Sequence, residues 1–216
     1  NKNIKNIFLS NPIPQLKIKN KFLTISDGLY LFQIIKISKN YIQAKSLQSF
    51  TLNPFKGLNI PGSTYSEALQ KNKYLNFLKK VNNKKISFDA IGLSFVQNHH
   101  LVKFIKKKFK DKIIVSKIEN MLGLKNIDSI IRYSDVIMID RGDLGAEIKN
   151  ENLYSAIDLI INKCKKNNTP VILATENLNS MMRNTEPSKS DIVNISHLAK
   201  LNVDTIMLSD ETAINK

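Results

Sequence analysis

The sequence has no tryptophan, a single cysteine and only three arginines among its 33 basic residues. Each scarcity excludes something. Cys164 cannot close an internal disulfide, so the chain is not a disulfide-stapled module, and its helical spacing from Ile160 and Ile161 reads as a packed thiol. A reducing setting, cytoplasmic or inside an organelle, is the expectation. The shortage of arginine argues against a nucleic-acid partner, because bidentate recognition of phosphates and base edges favours the planar guanidinium. The formal charge of +15 is assigned instead to an excess of lysine, asparagine and isoleucine, residues of A/T-rich codons, spread over solvated faces. Lys106, Lys107, Lys108 and Lys110, for example, lie opposite Leu101, Val102 and Ile105 on one helical pattern. Long apolar runs are missing too: the longest, such as Ala156 to Ile161, fall far short of the roughly 20 residues of a membrane helix. No leader-like segment precedes the first strand pattern, so neither a membrane nor export is expected.

What is present suffices for a folded core, at 216 residues and 42% hydrophobic content. Residues 1–62 alternate apolar and polar in short runs, as at 16–19 and 31–35, punctuated by Pro12, Pro14, Asp27-Gly28 and Pro54; this predicts a small all-β unit. From residue 63 the rhythm changes. Short continuous apolar runs at 90–96, 113–118, 136–139, 171–174 and 205–208 predict five buried parallel strands. Helix-length segments at 65–83, 98–110, 121–134, 152–167 and 187–202 predict helices beside them, a βα repeat every 23 to 35 residues.

The carboxyl ends of the five runs carry the chemistry. Ser94 follows the first, Lys117 and Glu119 the second, Arg141 and Asp143 the third, Thr175 and Glu176 the fourth, and Ser209 and Glu211 the fifth. In a (β/α) barrel those ends share one face, the face where active sites are built. Lys117 and Glu119 are two apart on a strand, so both point the same way. Glu119 with Asp143 from the next strand end makes an oxygen-only pair suited to a hard cation such as magnesium. A lysine beside that cation would neutralise a transferring phosphoryl group or a developing enolate. The alternative for the same residues is a surface ion pair plus an Asp-Gly turn.

The segments VSKIEN, IMIDRGDLGAEI, PVILATENLNSMM and IMLSDETA, together with LSFV (93–96), FKGLNIPG (55–62) and ISDGLYLF (25–32), resemble pyruvate kinase segments in order and spacing. The resemblance runs from about residue 16 to the end. It implies an α/β fold: a partial TIM-type (β/α) barrel comprising the family's fourth to eighth strands (63–216), preceded by an all-β lid-domain remnant (1–62). It implies that Glu119 and Asp143 bind magnesium or manganese and that Lys117 stabilises phosphoryl and enolate charge. Gly142, Asp143 and Thr175 are implied contacts of the phosphoenolpyruvate carboxylate, and Phe95 a wall of its pocket. Ser209 and Glu211 match a proton relay to the enolate, and Lys56 a hinge residue approaching the nucleotide phosphates. The implied reaction is phosphoryl transfer from phosphoenolpyruvate to ADP, giving pyruvate and ATP as the last step of glycolysis.

The chain departs from the family's pattern in places. A small residue, usually alanine, stands in the family where this chain has Asp140. Glutamine, arginine and glycine are usual at positions 176, 97 and 210, and Asn194 and Lys189 replace an aspartate and an arginine. The family's first three barrel strands, its potassium ligands and its C-terminal regulatory domain have no counterpart here, so the expectation is a piece of a longer chain, or a homo-oligomer or partner that completes the barrel. The competing function is a catalytically degenerate paralogue or fragment serving as an anion-binding, structural or regulatory subunit.

Overall fold

The computed structural model describes residues 6–9, 21–26, 28–38, 40–52, 56–209 and 213. The alternating run at 16–19 and the turn residues Pro12, Pro14, Asp27 and Pro54 lie outside them. The described chain is α/β, with one antiparallel and one parallel sheet.

Four strands make the antiparallel sheet: β1 (Phe22–Ile25), β2 (Tyr30–Ile37), β3 (Ile42–Ser46) and β4 (Leu58–Asn59), in the order β3-β2-β1-β4. Leu23, Ile25, Phe32 and Ile60 form its small core, and Tyr30 stacks on Phe50 at 4.2 Å between ring centroids. The β1–β2 turn needs a positive φ at Gly28, which also brings its backbone against Ala146.

The parallel sheet follows in strict sequence order: β5 (Ala90–Leu93), β6 (Ile113–Ile118), β7 (Val136–Asp140), β8 (Val171–Ala174) and β9 (Thr205–Met207). Neighbours in sequence are neighbours in the sheet. Because βαβ crossovers are right-handed, this order sends successive connections to one face, the arrangement of a (β/α) barrel rather than a doubly wound sheet. The crossovers carry α1 (Glu67–Asn83), α2 (His99–Lys108), α3 (Met121–Lys125), α4 (Ile127–Ile131), α5 (Arg141–Ile148), α6 (Leu153–Lys166) and α7 (Lys189–Lys200). The core lies between strands and helices and is dominated by isoleucine, with Ile105, Ile114, Ile118, Ile130, Ile137, Ile139 and Ile160 fully buried. Cys164 joins it, and burial pushes its thiol up to about 12. No described helix is long and apolar enough to cross a membrane.

Three boundaries differ from the sequence expectation, each for a local reason. The helix expected over 121–134 breaks at Asn126, whose amide nitrogen donates to the Gln97 carbonyl at 2.8 Å and ends α3. The first parallel strand stops at Leu93 because Phe95 takes a left-handed conformation, φ 51°. The segment after β7, where no helix was expected, forms α5, stabilised at its positive end by Asp143 in the first turn.

Candidate functional site

Lys117 lies beside Met138 and Ile118 beside Ile139 in the parallel register, so Glu119 falls next to Asp140, the last residue of β7. The Lys117 ammonium sits 2.5 Å from Glu119 Oε1 and 3.1 Å from Asp140 Oδ2. Asp143 reaches the same point from α5: one oxygen of each of Glu119, Asp140 and Asp143 lies within 4.8 Å of the other two. Three acids and one base thus meet at two adjacent strand tips.

The cluster is partly enclosed. Glu119 is 1% exposed, and its Oε2 accepts the Phe95 amide at 2.5 Å. Burial pushes the Glu119 carboxyl above its usual range, against the opposing pull of Lys117. Burial alone would lower Lys117, but the charges of Glu119 and Asp140 override it and hold the ammonium protonated. Asn59 of β4 is 2% exposed and donates its side-chain amide to Asp143 Oδ1 at 2.7 Å, while its own Oδ1 has no hydrogen-bond partner among the described residues. One helical turn beyond Asp143, the Glu147 carboxyl is raised to about 7 by burial. Tyr65 is raised to about 12, by burial first and then by the charges of Glu147, Asp143 and Glu119.

Thr175 closes the next strand tip in a left-handed conformation, φ 66°. Its hydroxyl lies 2.7 Å from the Ala174 carbonyl and 3.3 Å from Asp140 Oδ1, and receives the Gly142 amide at 3.4 Å. Arg141 is buried and reaches the β8 tip and α7. Its guanidinium donates to the Thr175 carbonyl (Nε, 2.9 Å), Asn177 Oδ1 (2.8 Å) and Asn194 Oδ1 (3.3 Å), and Asn177 in turn donates to the Met207 carbonyl at 2.9 Å.

Of the residues singled out from sequence, Lys117, Glu119, Asp143, Gly142, Thr175 and Phe95 are therefore drawn together around one point. Phe95 is half-buried with its ring 5.2 Å from that of Tyr65. Ser209 is half-buried two residues beyond β9, and Glu211 lies outside the described residues. Lys56 is exposed on the approach to β4 and forms no ion pair among the described residues. Asn59 was missed altogether. The only sequence signal for it was its place inside the FKGLNIPG segment, two residues beyond Gly57. Gln97 was named only as a departure, yet it fixes the chain before α1 by exchanging hydrogen bonds with the Tyr65 amide and carbonyl, both at 2.9 Å.

Residues 3–216 match the family model described as pyruvate kinase, barrel domain. The chain belongs to the pyruvate kinase family. It is 34% identical over 193 residues to the pyruvate kinase of Trypanoplasma borreli, a match covering 89% of this chain and 38% of that protein. To the enzyme of Thermococcus litoralis it is 32% identical over 209 residues, covering 94% of this chain and 43% of that one. Among solved structures, the Cryptosporidium parvum pyruvate kinase superposes with a TM-score of 0.75 at 32% identity, over 93% of this chain and 43% of its own. The same enzyme in complex with ADP gives a TM-score of 0.77, over 91% and 41%. The chain thus spans about two fifths of the length of the pyruvate kinases it matches.

Proposed function

We propose that this chain carries the metal and phosphoenolpyruvate part of a pyruvate kinase site, and that it serves magnesium-dependent phosphoryl transfer from phosphoenolpyruvate to ADP, yielding pyruvate and ATP in the last step of glycolysis. The observation that carries this reading is the convergence of Lys117, Glu119 and Asp143 at adjacent strand tips.

Glu119 and Asp143 would hold the divalent cation, magnesium or manganese. The residues fit it: the donors are all oxygen, as a hard cation requires, and the three clustered acids outnumber the one ammonium paired with two of them. The buried, unpartnered Asn59 Oδ1 beside Asp143 is a further oxygen donor. When bound, such an ion neutralises charge on the transferring phosphoryl oxygens. Lys117 supplies a fixed positive charge where negative charge builds on the phosphoryl group and the enolate. The amides of Gly142 and Asp143, at the positive end of α5, and the Thr175 hydroxyl would hold the substrate carboxylate, with Phe95 as an apolar wall. The Ser209 hydroxyl, with Glu211, would deliver the proton that turns the enolate into pyruvate. Lys56 would approach the phosphates of ADP, a nucleotide bound by the Cryptosporidium parvum relative.

We further divide the chain into a lid-domain remnant (1–62) and a barrel part (63–216), place it in the cytoplasm, and expect a homo-oligomer or a further segment to complete the barrel. Potassium rests on the resemblance alone, with no residue assigned to it. One observation favours a second reading, a catalytically degenerate chain serving as a structural or regulatory subunit: Lys117 is already paired with two carboxylates.

Lys117→Met tests the first reading. Phosphoryl transfer in the intact protein should be lost while magnesium titration stays within about threefold of the parent, and equal turnover in both proteins would remove Lys117 from the chemistry.

A further inference from the structure

We infer that Asp140 is a built-in competitor for the substrate: its carboxylate fills the place between Lys117 and Thr175 that an anion held by those two residues must take. The inference rests on the phosphoryl-transfer reading above and deepens it, by naming the residue that sets how strongly the site holds an anion.

The geometry is that of an occupied anion site. One oxygen of Asp140 lies 3.1 Å from the Lys117 ammonium and the other 3.3 Å from the Thr175 hydroxyl. An incoming phosphate or carboxylate would place its oxygens on the same two groups. Asp140 is held there by the fold, as the terminal residue of β7 in register beside Glu119, and it is buried, so water and salt screen its charge weakly.

Charge points the same way. One ammonium faces three carboxylates, so with all of them ionised the cluster carries −2, and a divalent cation brings it only to neutrality. The same pocket without Asp140 would stand at +1 once the cation was bound. A polyanion therefore enters a neutral pocket and must also displace Asp140 from Lys117. The consequence is weak anion binding that depends steeply on the divalent ion.

The test is calorimetric titration of the intact protein with phosphoenolpyruvate, and separately with oxalate, at saturating magnesium. The parent is compared with Asp140→Ala, Asp140→Asn and Asp140→Glu. Removing the charge by either Ala or Asn should tighten both ligands at least tenfold, and Glu should restore weak binding. Magnesium affinity without an anion should move the opposite way, weakening because a negative charge close to the ion is lost. Asn preserves shape, so it decides the matter if Ala does not fold. Equal anion affinity in the parent, Ala and Asn proteins would overturn the inference and leave the phosphoryl-transfer reading standing. Anion affinity that falls in Asp140→Asn at saturating magnesium would also overturn it, making Asp140 a metal ligand. Absence of binding in the parent and every variant, with or without magnesium, would overturn both.

Discussion

Replacing Glu147 with glutamine isolates one buried charge whose effect on stability can be worked out in advance. Glu147 lies on α5, and its Oε2 accepts the Gly62 amide at 3.2 Å where the chain leaves β4 for α1. Burial raises its carboxyl from 4.5 to about 7, the amides of Gly62 and Met121 pull the other way, and Asp143 adds to the rise. The folded protein therefore binds this proton more tightly than the unfolded chain. Its contribution to stability is complete below about pH 4.5 and is lost as pH rises through about 7. At 1.36 kcal/mol per pKa unit, the span from 4.5 to about 7 amounts to about 3 kcal/mol. Glutamine keeps an oxygen for the Gly62 amide and cannot ionise. Glu147→Gln should thus match the parent near pH 4.5 and exceed it by about 2 to 3 kcal/mol near pH 8. Urea midpoints measured across that range without divalent ions provide the assay, and the difference between the two curves cancels most of what other carboxyls contribute. Parallel curves would refute the reasoning, because they would mean that Glu147 ionises in the folded state as easily as in water.

Two further substitutions probe the same region. Glu119→Gln should weaken magnesium binding at least tenfold, and an unchanged metal titration would remove Glu119 from the ion's ligands. Gly123→Ala places a Cβ against the Val96 carbonyl, closer than van der Waals contact allows, so it should lower the urea midpoint by an amount worth about 2 kcal/mol, although alanine is the better helix former by about 1 kcal/mol; a stabilised variant would mean that α3 can shift away from the β5 tip.

The strands were legible because their burial is written locally. Runs such as Ile113–Ile118 and Val171–Ala174 are short and rich in β-branched residues, and alternate positions of β6 (Ile114, Ser116 and Ile118) are fully buried. Period two also sufficed to put Lys117 and Glu119 on one side of β6. The misses have a different character. Asn59 meets Asp143 across 84 residues of sequence, so no window of local pattern contains the pair. Arg141 was visible as a strand-end cation, but its direction was not. It fastens onto Asn177 and Asn194, which sit on a later loop and a later helix. Asp140 was visible as an extra carboxylate, whereas its bridge between Lys117 and Thr175 depends on the lateral register of three strands. Helix α5 was not assigned at all, and its two glycines in eight residues weaken its helical signal on propensity alone.

The strand tips themselves couple the fold to the site. Phe95 and Thr175 hold φ values of 51° and 66° without being glycine, a conformation that costs on the order of 1 to 2 kcal/mol each. In both cases a charged side chain from the neighbouring strand tip takes up the backbone group that the turn exposes. Glu119 Oε2 accepts the Phe95 amide at 2.5 Å, and Arg141 donates to the Thr175 carbonyl at 2.9 Å. The two oxygens of Glu119 are therefore divided between the Lys117 ammonium and the turn that positions the pocket wall. A carboxylate oxygen has two lone pairs, so a cation can share Oε2 with the Phe95 amide without displacing it. Protonation of Glu119 removes that option, because a neutral carboxyl attracts neither the ammonium nor a cation as strongly. Metal affinity and the placement of Phe95 must then weaken together, since both draw on the same buried charge.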